Sequence, residues 1–264
     1  MTRWFVFNNS KLLLQMLPDG SYAIPQAVQP PLPVTKDNEP LLVTRLPDGS
    51  NVMTYTVSKL PAPIPSSLPS LFYDLRQSYF VLPEDTYVMA GKCHELVYWN
   101  QRTRYCGHCA SPLELNKGPY KECPSCGQLF WPTLSTAVIV LISRDDEVLL
   151  VRSRDFRGNH YGLVAGFVET GESLEAAICR EVKEETNLEI QDLTYFGSQP
   201  WPYPCGLMVG FMAKYKGGEL QLQESELATG GWFHYTKLPE IPQKMSIARK
   251  LIDNWVNRKS HERD

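Results

Sequence analysis

The second half of the chain alternates apolar runs with polar turns, as a β-rich domain does. Apolar runs predict strands over residues 136–143, 147–153, around Leu163, 193–197, 207–215 and 232–235. Residues 144–146 are polar and predict a hairpin between the first two strands. Apolar residues at helical spacing predict one helix from Ser173 to Thr186 and a second near the C-terminus that carries Leu251 and Trp255. This pattern indicates an α+β fold with helices packed on a mixed sheet.

The first hundred residues are rich in proline and contain the pentapeptide LPDGS twice, at 17–21 and 46–50. Pro-Asp-Gly favours tight turns, so each copy predicts a hairpin turn in a small sheet domain. The stretches 24–40 and 62–70 have the composition of loops. A helical pattern follows from residue 85 to about residue 101.

Length and composition limit the classes of protein to which the chain can belong. Its 264 residues suffice for two modest domains, and we expect a β-rich domain over 1–100, a cysteine-rich segment over 101–131 and an α+β domain over 132–264. The net charge of −3 and the lack of a long basic tract argue against a general electrostatic grip on nucleic acid. No apolar run approaches the length of a membrane span, and the N-terminus lacks the features of a signal peptide. We therefore expect a cytoplasmic protein without a membrane partner.

Four of the seven cysteines form two pairs with two residues inside each pair and thirteen between them: Cys106, Cys109, Cys123 and Cys126. This spacing lets four thiolates share one tetrahedral Zn²⁺, while Gly107 and Gly127 allow tight turns. A reducing compartment disfavours disulfides, and four thiolates leave no open position for a catalytic water. The pattern predicts a structural zinc ribbon. Its insert offers only Lys117 and Lys121 as cations, which gives little support for nucleic-acid binding.

Three carboxylates of the predicted helix fall at positions i, i+3 and i+4: Glu181, Glu184 and Glu185. Residues at these offsets are neighbours on one helix face. Carboxylate oxygens suit Mg²⁺ or Mn²⁺, and these ions also bind phosphate oxygens. Arg180 precedes Glu184 by one turn and can hold its carboxylate by a charged hydrogen bond. The stretch indicates metal-assisted phosphate chemistry, and the alternative is a solvated Glu-rich helix.

The run over residues 166–188 resembles the Nudix box, G-x5-E-x7-R-E-U-x-E-E-x-G-U, in which U is apolar. Its matching positions are Gly166, Glu172, Arg180, Glu181, Val182, Glu184, Glu185 and Leu188. The second glycine is replaced by Asn187, which tolerates the same left-handed backbone region. So many fixed positions in one register disfavour an ordinary solvated helix. The resemblance implies an α/β/α sandwich in which Glu172 and Arg180 belong to the catalytic set.

A second motif, SQPWPYPCG, follows the helix. Its prolines stiffen the segment, which predicts a loop that presents Gln199, Trp201 and Tyr203 to a flat aromatic ligand. The alternative is a proline-rich loop that packs its aromatic rings on the sheet. The motif resembles the S-Q-P-W-P-F-P-x-S signature of the NADH pyrophosphatase branch of the Nudix hydrolases, with Tyr203 replacing Phe and Gly206 replacing the last Ser. The residues expected to contact substrate are Ser198, Gln199, Pro200, Trp201, Pro202, Tyr203, Pro204, Cys205 and Gly206.

The resemblance implies hydrolysis of the central pyrophosphate of NADH or NAD⁺ to nicotinamide mononucleotide and AMP, and removal of NAD caps from RNA 5′ ends, commonly by a homodimer. It also implies that Phe167 and Trp131 sandwich the nicotinamide across the dimer interface, and that Ala248 lines the pocket. Two or three Mg²⁺ or Mn²⁺ ions would be held by the Ala165 carbonyl, Glu181, Glu184, Glu185 and Glu226. Glu224 is the alternative to Glu226.

Two other functions stay open. The box specifies only the metal and the pyrophosphate, so the substrate can be another nucleoside diphosphate derivative such as ADP-ribose or a nucleotide sugar. The proline motif discriminates against this alternative. A zinc-ribbon nucleic-acid-binding protein with an inactive Nudix domain is the second alternative, and the complete set of carboxylates disfavours it.

Overall fold

The protein is described by a computed structural model that covers residues 1–36, 38–58, 69–115, 120–154 and 158–262. Residues 62–68 of the predicted loop and Lys117 lie outside these ranges. The chain forms two compact units. The first consists of Met1–Thr133 and Pro202–Cys205, and the second of Leu134–Trp201 and Gly206–Asp264.

The first unit is built on a sheet whose described strands are β1 Thr2–Asn8, β2 Lys11–Met16, β3 Tyr22–Ala23, β4 Gln26–Ala27, β5 Leu41–Arg45, β6 Asn51–Thr56 and β7 Ser70–Asp74. Both LPDGS segments make the predicted hairpin turns, because the amides of Leu17 and Leu46 donate to the carbonyls of Ser21 and Ser50. Helix α1 (Glu84–Arg102) confirms the predicted helix and packs on β1, β5 and β6. Three short strands follow in an antiparallel sheet, β8 Glu114–Leu115, β9 Lys121–Glu122 and β10 Leu129–Phe130.

The second unit has a mixed sheet with described strands β11 Ser135–Arg144, β12 Glu147–Ser153, β13 Val164–Phe167, β14 Glu189–Trp201, β15 Gly206–Gly217 and β16 Leu227–His234. Strand β11 lies parallel to β15 and antiparallel to β12 and β13, and β14 and β16 complete the two edges. Helix α2 (Leu174–Thr186) follows β13, and helix α3 (Ile247–His261) follows β16.

Alternate residues of β11 face opposite sides of the sheet, as the strand period requires. Val138 and Val140 belong to a buried cluster with α2, whereas Ile139 and Leu141 belong to a cluster with α3. One helix therefore covers each face. This arrangement confirms the α+β class and the α/β/α sandwich expected for residues 132–264.

The two sheets share one connectivity. In the first unit β1 pairs with β2, β4 and β6, while β5 and β7 extend the two sides. Strands β11, β12, β13, β15, β14 and β16 repeat this pattern with the same parallel and antiparallel senses. The described residues between β4 and β5 form no helix, and Leu32 is buried there, hydrogen-bonded to the Tyr55 hydroxyl. Within the described ranges, the first unit thus repeats the sheet of the second, with β3 in addition and no counterpart of α2.

Two strands differ from the prediction. Strand β14 continues through Trp201, although the proline motif predicts a loop from Ser198. Because β14 is an edge strand, Pro200 can lie in it without removing a hydrogen bond from a central ladder. Strand β16 begins at Leu227, before the predicted start at residue 232. The prediction missed this start because Gly230 and Gly231 interrupt the apolar pattern of the strand.

Candidate active site

Helix α2 forms as its sequence predicts. The Ser173 hydroxyl caps the first turn by accepting the Ala176 amide at 3.2 Å. Asn187 ends the helix in the left-handed region with φ 59°, and its amide donates to the Lys183 carbonyl at 2.9 Å. Ala177, Ile178 and Val182 are fully buried in the core, which leaves the carboxylates beside this stripe.

Arg180 organises the acidic groups around the helix. Its Nε and Nη2 donate to the two carboxylate oxygens of Glu172 at 2.7 and 2.9 Å. Its Nη1 donates to Glu181 at 2.9 Å and to Glu184 at 3.1 Å, and Nη2 also reaches the Phe167 carbonyl at 3.0 Å. The paired fork lowers the pKa of Glu172 to about 2 and raises the pKa of Arg180. Arg180 therefore links the loop before α2 to the carboxylates on it.

Gly166 is required by close approach to Glu181. It pairs with Val138 across the sheet, and a Cβ atom at Gly166 would lie only 1.9 Å from the Glu181 Cδ. Any side chain here would displace the carboxylate. The glycine of the box is thus explained by packing against Glu181.

Glu185 is a buried carboxylate, 5 % exposed, and no donor among the described residues is bonded to it. Burial raises its pKa to about 8, and the negative charges of Glu181, Glu226 and Glu184 add to this shift. Burial also raises the pKa of Glu181, although Arg180 opposes the shift. Glu226 acts electrostatically on both carboxylates, which supports it over Glu224 as the fourth acidic residue.

These carboxylates suit a divalent cation. A cation stabilises a buried carboxylate that has like charges beside it and no donor in the described ranges, and oxygen ligands are those that Mg²⁺ or Mn²⁺ prefers. Within the described residues, the acidic groups are not gathered to within 4.8 Å of one another as the cysteines are. Arg180 holds Glu181 and Glu184 instead. The carboxylate oxygens are therefore suitable ligands for Mg²⁺ or Mn²⁺, but the acidic side chains must rotate before they can bind one ion together.

The four cysteines of the ribbon converge as predicted, with all Sγ atoms within 4.8 Å of one another. The Sγ atoms of Cys106 and Cys126 are 3.6 Å apart, and those of Cys109 are 3.4 Å from Cys123 and 3.7 Å from Cys126. Four sulfurs at the usual Zn–S distance of about 2.3 Å would be about 3.8 Å apart, so the cluster has tetrahedral dimensions. A four-cysteine cluster of this size can bind zinc.

The backbone of the ribbon corrects one detail of the prediction. The residues in the left-handed region are Ala110, with φ 59°, and Gly127, with φ 70°, and they occupy equivalent places in the two knuckles. Gly107 does not have positive φ. Lys121 is buried, and its Nζ donates to the carbonyls of Asn100 and Thr103 at the end of α1. This cation is used within the fold, so the ribbon has even less basic surface than its sequence suggests.

The proline motif divides between the two units. Ser198–Trp201 lie in β14, where the Gln199 amide nitrogen donates to the Met245 carbonyl at 2.7 Å and its buried Oε1 has no hydrogen-bond partner among the described residues. Pro202–Cys205 belong to the first unit. There the Tyr203 hydroxyl lies 2.7 Å from that of Tyr87, and the Arg76 guanidinium covers its ring at 4.6 Å. The ring of Tyr203 is thus packed rather than freely presented. At Gly206, a Cβ would lie 3.1 Å from the Trp201 carbonyl oxygen.

The remaining predicted residues differ in exposure. Phe167 is 65 % exposed and Trp131 is 53 % exposed, with the Trp131 ring 4.6 Å from that of Tyr120. Ala248 is buried in the cluster under α3, and Ala165 is half-buried in β13. Sequence reasoning did not find the partners of the proline motif on α1, because no local pattern connects residues more than a hundred positions apart.

Comparison with known proteins covers both units. Residues 132–255 match the family described as NUDIX domain, and residues 1–99 match the NADH pyrophosphatase-like rudimentary NUDIX domain. The NAD-capped RNA hydrolase NudC of Chromobacterium violaceum is 37% identical over 260 residues, which cover 97% of this chain and 92% of that protein. The protein of the same name from Pseudomonas aeruginosa is 41% identical over 198 residues, 74% of this chain and 71% of the relative. These matches confirm the resemblance drawn from the two motifs.

Among the helices of the described ranges, none combines the length and the apolar character that a membrane span requires.

Proposed function

Because this chain belongs to the Nudix hydrolases, we propose that it cleaves the pyrophosphate bond of NADH or NAD⁺ to give nicotinamide mononucleotide and AMP, and that it removes NAD caps from RNA. The observation that carries this proposal is the extent of the similarity to an NAD-capped RNA hydrolase. It spans 97% of the chain, and so includes the first unit and the ribbon as well as the box. The proline motif supports the same branch of the family.

The acidic groups would hold the metal. Glu181, Glu184, Glu185 and Glu226, with the Ala165 carbonyl, are the residues that would bind two or three Mg²⁺ or Mn²⁺ ions. When bound, such ions neutralise the charge of a pyrophosphate and lower the pKa of a water molecule. The four cysteines would hold one structural Zn²⁺, within a ribbon module over residues 101–131.

The protein residues position the reacting groups. Arg180 contacts Glu172, Glu181 and Glu184, so its guanidinium would limit how far these carboxylates turn when an ion binds. Glu184 is the most exposed of the three box carboxylates on α2, with 53 % of its side chain accessible, and we assign it the role of accepting the proton of the attacking water. Water then attacks phosphorus in line, and one nucleoside monophosphate leaves.

The nicotinamide would bind between aromatic rings. Phe167 and Trp131 are large apolar side chains that are more than half exposed, as side chains that meet a ligand or a second subunit are. We place them on opposite sides of the nicotinamide in a homodimer. Gln199 and Trp201 of β14, with the rest of the motif, would contact the remaining dinucleotide. We also propose that the protein is cytoplasmic.

Product analysis tests the proposal. The protein is incubated with NADH, ADP-ribose or NAD-capped RNA in Mg²⁺ or Mn²⁺, and the products are separated by chromatography and identified by mass. We expect nicotinamide mononucleotide and AMP from NADH, and a 5′-monophosphate RNA from the capped transcript. Equal turnover of ADP-ribose would instead favour a general nucleoside diphosphate hydrolase. RNA binding without cleavage in any metal would favour the nucleic-acid-binding alternative.

A further inference from the structure

The segment between β14 and β15, residues 202–205, is here called the hairpin tip. It folds with the first unit, whereas both strands that it joins belong to the second. Pro202 is buried, and its carbonyl accepts a hydrogen bond from Nδ1 of His94 at 2.9 Å. Because a carbonyl oxygen only accepts, Nδ1 carries the hydrogen. A buried imidazole of α1 therefore fixes the backbone of the hairpin tip.

His94 also joins the hairpin tip to the turn after β1. Its ring, 8 % exposed, interacts with the backbone of Asn9 and of Pro204 as well as Pro202, and it meets Phe7 edge-on with ring centroids 5.2 Å apart. Several acceptors around one imidazole restrain its orientation. The ring cannot turn without losing contacts on both sides.

Two more residues of α1 meet the hairpin tip. Tyr87, Gly91 and His94 follow one another at intervals of four and three, so they lie on one face of the helix. A Cβ atom at Gly91 would lie 3.0 Å from Cγ of Pro202, and the Tyr87 hydroxyl lies 2.7 Å from that of Tyr203. The tyrosine pair depends on Tyr203, which stands where the signature has Phe. We call Tyr87, Gly91 and His94 the anchoring face.

We propose that the anchoring face positions the proline motif for substrate recognition. Trp201 directly precedes the hairpin tip, and Gln199, two residues before Trp201, donates to the Met245 carbonyl. The β15 ladder fixes the backbone of Gln199 and Trp201, and holding the tip removes freedom from the backbone that follows Trp201, which lowers the entropic cost of ordering this end of the motif on ligand association. Tyr87 and His94 are positioning residues, since they act through the hairpin tip. The proposal rests on the proposed function for the identity of the substrate.

Matched variants at His94 test the proposal in the full-length, metal-loaded protein. His94→Leu removes the donor, whereas His94→Asn keeps an N–H near the position of Nδ1. We expect His94→Leu to raise KM for NADH about tenfold and to change kcat by less than about threefold, since a positioning hydrogen bond in a buried site is worth about this factor. His94→Asn should restore most of the affinity.

Hydrogen exchange followed by mass spectrometry gives a second readout that needs no substrate. His94→Leu should speed exchange of the amides of peptide 198–206 about tenfold and leave those of 174–186 unchanged. Wild-type KM together with wild-type exchange in this peptide would overturn the proposal.

If His94→Leu speeds exchange throughout the first unit, the Tyr87→Phe variant decides between anchoring and general destabilisation, since it removes one hydroxyl only. Faster exchange confined to 198–206 then supports anchoring, and unchanged exchange overturns it. Failure of the wild type to release nicotinamide mononucleotide would refute the proposed function, whereas the exchange result judges the anchoring separately.

Discussion

Replacing Glu185 by Gln should have opposite effects on activity and on the stability of the metal-free protein. Glu185 is buried on α2 beside the charges of Glu181, Glu226 and Glu184, and burial is the main reason for its raised pKa. Gln has nearly the same shape and carries no charge. The variant loses the ligand that the proposed mechanism needs, so turnover should fall to background even with saturating Mg²⁺ or Mn²⁺.

The effect on stability follows from the pKa values of the two states. Burial raises the pKa of the Glu185 carboxyl group to about 8 in the folded protein, against 4.5 as its ordinary value. Between these values the folded state binds more protons than the unfolded state, so stability falls as the pH rises through this window. One proton contributes about 1.4 kcal/mol per pH unit, which gives about 3 kcal/mol between pH 5 and pH 7. Glu185→Gln removes this loss and should be more stable than the wild type by about that amount at pH 7.

Urea unfolding of the two proteins measures this difference. It is followed at pH 5, 6 and 7 in buffer free of Mg²⁺ and Mn²⁺, with the zinc retained. The wild type should lose stability over this range relative to the variant, and addition of Mg²⁺ or Mn²⁺ should stabilise the wild type more than the variant. The interpretation is refuted if the free energy of unfolding depends on pH in the same way in both proteins, or if the variant is less stable than the wild type at pH 7. Either result would mean that Glu185 is not a buried carboxylate that a bound cation stabilises.

Three further changes test other parts of the site. Arg180→Lys keeps the charge but cannot hold Glu172, Glu181 and Glu184 at once, so kcat/KM for NADH should fall about tenfold to a hundredfold in steady-state assays. Gly166→Ala should abolish activity by displacing Glu181, whereas Gly217→Ala, where a Cβ meets open space, should keep wild-type kcat; circular dichroism should show both folded. Cys123→Ser should lose the bound zinc in elemental analysis and lower Tm, while Cys179→Ser, exposed on α2, should retain one zinc per chain.

The sequence predicts much of the site because its determinants are local. The caps at Ser173 and Asn187 fix α2, and the spacing of the carboxylates and of the cysteines follows from helix and knuckle geometry. The two LPDGS turns are local as well. In each case the residues that decide the structure lie within a few positions of one another.

Long-range contacts account for what the sequence does not predict. Nothing near Tyr203 indicates that its hydroxyl meets Tyr87, and nothing near His94 indicates a proline carbonyl as its partner. Strand β14 runs through Pro200 only because it lies at an edge of the sheet, and edge position is a property of the assembled sheet. The matching connectivity of the two sheets is likewise invisible in sequence patterns of single elements.

The hairpin of β14 and β15 belongs to the second unit, whereas its tip belongs to the first, and this division affects the order of folding during synthesis. Residues 1–133 leave the ribosome before the hairpin tip, which follows after about 70 more residues, or about 3 to 14 s at usual translation rates. The residues of the first unit that contact the hairpin tip are therefore synthesised before the tip itself. A nascent chain that stops short of residue 202 leaves the His94 imidazole without the Pro202 carbonyl, and the first unit reaches its final packing only after about half of the second unit has been translated.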